Sequence, residues 1–268
     1  MFNVAGKVVV VTGGNKGIGE GIAREFAKVG SKIAIWGRNA EDNQRVCGEI
    51  TAAGGECVAF PCDITSEAQI AAAVQDTLDA YNGKIDVLVN SAGIMLQGDP
   101  KKLPAESPEG FRKVIDVNLT GPYLCAASVL PIMRKQHFGR IIFIASAVHQ
   151  RMAVGRVPSY TASKAGEVGL VRHLAMEGGA WGITVNAICP GSTMTPMLEA
   201  LITSPDQLEQ RKQRIPTGRL ATPQNHAHLA IFLASEEACQ ITGQAIHVDG
   251  GQTLPWVDRD TYFQGIEE

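Results

Sequence analysis

The chain has 268 residues, 45% of them apolar, enough to bury one large α/β core or two small ones. A formal charge of −3, with no polybasic block, argues against nucleic acid or an anionic membrane as a main partner. The six cysteines show no C-x-x-C or metal-ligand spacing, and neither a secretory leader nor a membrane-length apolar run is apparent, so a reducing, cytoplasmic setting with no metal is expected.

An apolar, β-branched run over 7–11 reads as a buried strand. It meets the glycine cluster Thr12-Gly13-Gly14-Asn15-Lys16-Gly17-Ile18-Gly19, after which small and apolar residues recur at helical spacing over 18–29. Strand, tight turn and amphipathic helix are the opening of a dinucleotide-binding βαβ unit. The turn lets backbone approach a pyrophosphate, and the helix start offers unpaired N–H groups. Further strands are predicted over 32–36, 57–60, 85–89, 140–145, 184–188 and 245–248. Helices are predicted over 40–53, in the stretch ending near 81, and over 109–135, 160–178 and 225–233. Pro122 and Pro131 should each bend the long fourth helix. The polar stretch 191–218 reads as a substrate flap, and 257–268 as a loose tail.

Strands and helices alternate with no second composition regime. The pattern predicts one α/β domain over 1–256, a doubly wound, mainly parallel seven-stranded sheet of the Rossmann kind with helices on both faces. Ligands in such sheets sit beyond the C-terminal strand ends, so function is sought just after the strands.

Four polar residues stand at that edge or near it: Asn118, Ser146, Tyr160 and Lys164. Tyr160 and Lys164 are four apart and share one helix face. A tyrosine hydroxyl is a poor base at neutral pH, but a neighbouring ammonium favours its phenolate, which can exchange a proton with an alcohol oxygen. Ser146 could hold the same oxygen, and Asn118 a water or a backbone kink. The chemistry suited to this set is a carbonyl/alcohol redox step.

These segments resemble the motifs of the classical short-chain dehydrogenase/reductase family. T-G-x-x-x-G-I-G stands at Thr12 to Gly19, and N-N-A-G as Asn90-Ser91-Ala92-Gly93. N-L-x-G stands as Asn118-Leu119-Thr120-Gly121, and Y-x-x-x-K as Tyr160 to Lys164, with its serine at Ser146. P-G stands as Pro190-Gly191, and V-D-G-G as Val248 to Gly251. The resemblance implies Tyr160 as acid/base, Lys164 on the nicotinamide ribose, Ser146 on the substrate oxygen and Asn118 maintaining a relay water. It implies cofactor contacts from Gly13, Asn15, Lys16, Gly17, Ile18 and Gly19 in the turn. Beyond the later strands it implies contacts from Asp63, Ile64, Asn90, Ala92 and Gly93, and from Pro190, Gly191, Thr193 and Thr195, with Ile188 touching the nicotinamide end. A homotetramer is also implied, with the helices over 109–135 and 160–178 forming one interface. Two departures are Ser91 in place of the second asparagine, and a gap from Ser146 to Tyr160 one residue longer than the commoner one.

The second strand ends at Gly37-Arg38-Asn39. Gly37 offers no carboxylate to a ribose diol, whereas Arg38 suits a 2′-phosphate and Lys16 adds a second charge, with no acid foreseen beside them. NADP(H) is therefore favoured, with NAD(H) the alternative. The substrate side is expected from 93–97, from 147–159 including His149, Gln150, Arg151, Met152 and Arg156, and from the flap with Met194, Met197, Leu198, Leu201, Ile202, Arg211, Lys212 and Arg214. A small-molecule ketone or secondary alcohol is the expected partner, a sugar, polyol or small oxo acid in one reading and a 3-oxoacyl thioester in another. A non-catalytic nucleotide sensor on the same fold is the rival of a different class.

Overall fold

The computed structural model describes residues 2–99, 101, 102, 104–149, 157–202, 204–254 and 261. Seven parallel strands form one sheet in the order β3-β2-β1-β4-β5-β6-β7. They are β1 (Val8–Thr12), β2 (Lys32–Gly37), β3 (Glu56–Pro61), β4 (Val87–Asn90), β5 (Gly139–Ile144), β6 (Ile183–Pro190) and β7 (Ala245–Val248). The helices are α1 (Gly17–Lys28), α2 (Ala40–Ala52), α3 (Glu67–Ala80), α4 (Pro108–Ile115), α5 (Gly121–Gln136), α6 (Pro158–Gly179), α7 (Pro196–Glu199), α8 (Pro205–Gln213) and α9 (Pro223–Ala234). The expected doubly wound architecture is present. Predicted strand edges move by a residue or two, because register with a neighbour, rather than composition, ends a strand.

Alternation along β1 divides the core. Val8 and Val10 face the layer of α3, α5 and α6, where Ile70, Val129, Met133, Val171 and Leu174 are buried. Val9 and Val11 face α1, α2 and α9, against Ile22, Phe26, Val46, Ile50 and Leu233. Both faces are dry, so the strands read as continuous apolar runs rather than alternating ones. Arg140 is buried at the start of β5, where its guanidinium donates to the carbonyls of Gly139, Gly182 and Ser235 and lies over the Phe138 ring.

The long helix expected over 109–135 is broken differently from the expectation. A π turn, Asp116–Thr120, separates α4 from α5 ahead of Pro122. Pro122 is the second residue of α5, and α5 continues past Pro131 to Gln136. The flap over 191–218 carries α7 and α8. Gln150, Arg151, Met152, Arg156 and the tail over 257–268, Thr261 excepted, lie outside the described residues.

Candidate active site

Strand order reverses between β1 and β4, and the loops that leave them open a cleft of about 600 Å³ at the C-terminal edge of the sheet. Gly13 and Gly17 have φ of +64° and +57°, conformations that favour glycine. A Cβ on Gly13 would stand 2.9 Å from the Ala92 Cα, so the loops after β1 and β4 touch. Thr12 Oγ1 bolts them together, accepting the N–H groups of Ser91 and Ala92 at 3.1 Å each. The role of residue 91 here is carried by its backbone, which explains why serine serves where the resemblance has asparagine.

The adenine end is built around Gly37. Asn43 Nδ2 donates to the Gly37 carbonyl and Asn15 Nδ2 to Asn43 Oδ1, both at 2.7 Å. Arg38 and Asn39 are exposed on the cleft rim, and Asp63 and Ile64 line the wall. A hydrogen bond from the Thr65 N–H holds the Asp63 carboxyl below its ordinary range against the effect of burial, with the Arg38 charge adding to it. One expectation is corrected here. Lys16 is not a free second cation, because its Nζ pairs with Asp42 Oδ2 at 2.8 Å, and that carboxylate lines the cleft. The pair could not be read from spacing, since it joins a turn to the next helix.

A phosphorylated dinucleotide fits this chain. The turn carries glycines at 13, 14, 17 and 19, the N-terminus of α1 faces the cleft, and the strand-tip residue Gly37 offers no carboxylate next to the exposed Arg38, the nearer acids Asp42 and Asp63 being engaged by Lys16 and by Thr65.

The opposite end brings Ser146, Tyr160 and Lys164 to one cleft wall. Ser146 follows β5 and is nearly buried, its Oγ accepting from the Val148 N–H at 3.4 Å. Lys164 Nζ lies 5.9 Å from the Tyr160 ring centroid and donates to the Ile144 carbonyl at 2.8 Å. It also donates to both carboxylate oxygens of Glu167 at 3.0 Å. Burial pulls the ammonium down, but the charges of Glu167 and Tyr160 outweigh it and leave Lys164 above its ordinary range. Burial pushes Glu167 up to about 7, with Lys164 offsetting only part of the shift.

Asn118 sits in the π turn, fully buried and off the cleft wall. Its Oδ1 accepts the Ile94 N–H and its Nδ2 donates to the Ile94 carbonyl, both at 2.8 Å. Nδ2 also lies 3.4 Å from Ser163 Oγ, which donates to the Tyr160 carbonyl. Asn118 thus ties the loop after β4 to the helix that carries Tyr160. Glu106 adds a second tie, its carboxylate accepting the Ser159 N–H at 3.0 Å and the Ser159 hydroxyl at the start of α6.

Of the other expected residues, Gly13, Asn15, Lys16, Gly17, Ile18, Gly37, Ala92, Gly93, Pro190, Gly191, Thr193 and Thr195 line the cleft. Gly19, Asn90 and Ile188 do not. A Cβ on Gly19 would collide with the Gly13 carbonyl, so it serves the turn's packing. Asn90 donates to the Pro122 carbonyl at 3.1 Å, and Ile188 is core. From the flap, Met197, Leu198, Leu201 and Arg211 reach the cleft, while Lys212 pairs with Glu209 at 3.0 Å and Arg214 stays exposed outside it. Met95, within the expected 93–97, lines the cleft, whereas Asp42, Val117, Glu167 and Gln252 were not singled out by sequence. Only Glu167 carried a signal, a carboxylate one turn from Lys164 on a helix face otherwise filled by Val168 and Val171.

Glycine turn, cleft and the tyrosine–lysine wall define a dinucleotide-dependent oxidoreductase. A family model described as enoyl-(acyl carrier protein) reductase matches residues 13–253. The chain is 37% identical to the oxidoreductase UcpA of Salmonella typhimurium over 261 residues, covering 95% of this chain and 97% of that one. It is 39% identical to the 3-oxoacyl-[acyl-carrier-protein] reductase FabG of Chlamydia pneumoniae over 253 residues, covering 94% and 99%. A crystal structure assigned as an NAD(P)-dependent gluconate 5-dehydrogenase from Beutenbergia cavernae, with bound NADP, superposes with a TM-score of 0.86 at 36% identity, covering 94% and 98%. The chain belongs to the short-chain dehydrogenase/reductase superfamily. It is an NAD(P)-dependent oxidoreductase for carbonyl and alcohol substrates, with NADP(H) the favoured cofactor.

Proposed function

We propose that this enzyme reduces a small, polar oxo acid of the sugar-acid type, with Tyr160 as the proton donor and NADP(H) supplying the hydride. The observation that carries the reading is the shared wall of Ser146, Tyr160 and Lys164 at the inner end of the cleft. Ser146 Oγ donates to the substrate carbonyl and fixes it beside Tyr160. The Tyr160 hydroxyl gives its proton to the developing alkoxide, and the Lys164 ammonium stabilises the negative charge left on the phenol oxygen. Asn118 and Glu167 are positioning residues, the first holding the Ile94 loop and the second holding Lys164. Arg38 binds the 2′-phosphate and the first turn of α1 the pyrophosphate. Arg211, on the cleft wall with Met197, Leu198 and Leu201, supports a carboxylate on the substrate, as does likeness to a gluconate 5-dehydrogenase.

A second reading, reduction of a 3-oxoacyl thioester, draws on the apolar share of that same wall and on the likeness to FabG. Phe111, Tyr123 and Met176 are exposed on α4, α5 and α6, which supports pairing of two copies across that layer. The test is NADPH oxidation with a keto sugar acid, a neutral ketone and a 3-oxoacyl thioester. Tyr160→Phe is expected to lower turnover at least about 100-fold while NADPH still binds. Arg211→Ala is expected to raise KM for the keto acid about tenfold or more and leave the neutral ketone unchanged. Full turnover by Tyr160→Phe would end the proton-donor assignment, and a thioester preference insensitive to Arg211 would favour the second reading.

A further inference from the structure

Three ligand-bearing side chains converge beside the catalytic wall but outside the cleft. His149 ends the short turn that follows Ser146, Cys189 lies near the end of β6, and His247 is in β7. His149 Nε2 and His247 Nε2 are 3.1 Å apart, and the ligand atoms of all three residues fall within 4.8 Å of one another. We propose that His149, Cys189 and His247 form a zinc site whose occupation restrains the Ser146 turn and inhibits the enzyme.

The histidine pair suits the ion, and the widest ligand separation, 4.8 Å, closes by a side-chain adjustment, because Zn–N and Zn–S bonds together reach about 4.3 Å at most. Two imidazole nitrogens in one tetrahedral shell stand about 3.3 Å apart when each Zn–N bond is about 2.0 Å. Three protein ligands among the described residues leave a fourth position for water, the open form of a zinc site. Behind His247, Nδ1 lies 3.4 Å from Thr253 Oγ1 and 3.8 Å from Asp249 Oδ2, and Thr253 Oγ1 donates to that same carboxylate at 2.7 Å. A carboxylate behind a histidine is the outer shell that aims its far nitrogen at a metal. Without an ion, two lone-pair nitrogens face each other and one ring must place a proton between them.

Cys189 is fully buried, and the Ser146 N–H meets its sulfur. Zinc binding displaces the thiol proton to solvent as the Zn–S bond forms. The charged groups around the cluster are Arg172 near His149, Lys164 and Glu167 near Cys189, and Asp249 near His247, two cations against two carboxylates. Sequence reasoning expected no metal, because the three residues come from separate strand ends and their spacing shows no motif.

Both flanks of Ser146 are tied to the ligands. Its N–H meets Cys189 Sγ, and its carbonyl accepts the His149 N–H at 3.1 Å. Inhibition rests on the role proposed above for Ser146, whereas binding does not. The test adds Co²⁺, then Zn²⁺ in competition, to the full-length protein. Wild type is expected to bind one Co²⁺ with a thiolate-to-cobalt charge-transfer band that Zn²⁺ abolishes, and Cys189→Ser to lack the band. His247→Asn, which keeps the thiol and lies outside the proposed catalytic machinery, is expected to bind Zn²⁺ at least tenfold more weakly. It should also keep metal-free turnover and lose zinc inhibition. Absence of the band in wild type, or its survival in Cys189→Ser, overturns the site. Tight zinc binding with unchanged turnover overturns the inhibition.

Discussion

Glu167 places a buried negative charge within hydrogen-bond reach of the ammonium that faces the Tyr160 ring. Removing that charge frees the Lys164 ammonium from the carboxylate that holds it beside the Tyr160 ring, leaving the Ile144 carbonyl to hold it. In Glu167→Gln the alcohol-oxidation pH profile should lose the contribution of the carboxyl that burial pushes up to about 7. A profile that stays in place would limit Glu167 to packing. His226 gives a stability prediction of its own. It is fully buried in α9, its Nε2 2.8 Å from Thr193 Oγ1, and burial pulls it down to about 4. Between that value and the ordinary 6.5 the unfolded chain binds a proton that the folded chain does not, so stability falls as pH drops through this window. The full effect is roughly 3 kcal/mol, and it should vanish in His226→Gln when denaturation of the two proteins is compared at pH 7 and pH 4.5. Tyr160, Lys164 and Ser146 were legible in sequence as cleft residues, because two share a helix face and the third follows a strand end. The Lys16–Asp42 pair and the reach of Glu167 were not, since both depend on how neighbouring segments are turned toward each other.

At the scale of elements, the irregularity that matters is the π turn over Asp116–Thr120. It widens the helix by one residue and lets Asn118 meet both the N–H and the carbonyl of Ile94. In sequence, proline drew the eye instead, because Pro122 and Pro131 have a known local cost and a π turn has none that composition reveals. Asn118→Ala would strand two backbone groups at the loop after β4, at about 1–3 kcal/mol for each one left without water. Urea denaturation should register the loss. Turnover should fall with it, since the same residue reaches Ser163 and through it the turn of α6 that carries Tyr160. The Glu106 tie to Ser159 escaped sequence reasoning for the same reason, joining a loop to a helix 53 residues on.

Across the whole molecule, sheet order and the two buried faces follow from the alternation of apolar strands with amphipathic helices, and the fold was readable from 7 to 248. The helices over 109–135 and 160–178, which the family resemblance implies as an interface, leave large side chains open. Met176 is 81% exposed on α6, with Tyr123 on α5 and Phe111 on α4 also uncovered. All three lie on the helical layer proposed above to pair two copies. Sedimentation velocity of the double variant Tyr123→Glu, Met176→Glu should show a species of half the wild-type mass, or smaller, with NADPH binding retained. An unchanged sedimentation coefficient would place the contact elsewhere. No helix among the described residues is long and apolar enough to cross a bilayer.

The tip of β2 closes a route that redesign would ordinarily take. Converting such an enzyme to the unphosphorylated dinucleotide usually begins by planting an acid where Gly37 stands, yet a Cβ there would fall 2.5 Å from Asn43 Oδ1 and 2.6 Å from Asn15 Nδ2. Those two amides are bonded to each other, and Asn43 also grips the strand-end carbonyl, so Gly37→Asp unlatches the glycine turn before it can recruit a diol. A swap of coenzyme in this chain has to be made at three positions together, with 15 and 43 shortened as 37 is enlarged.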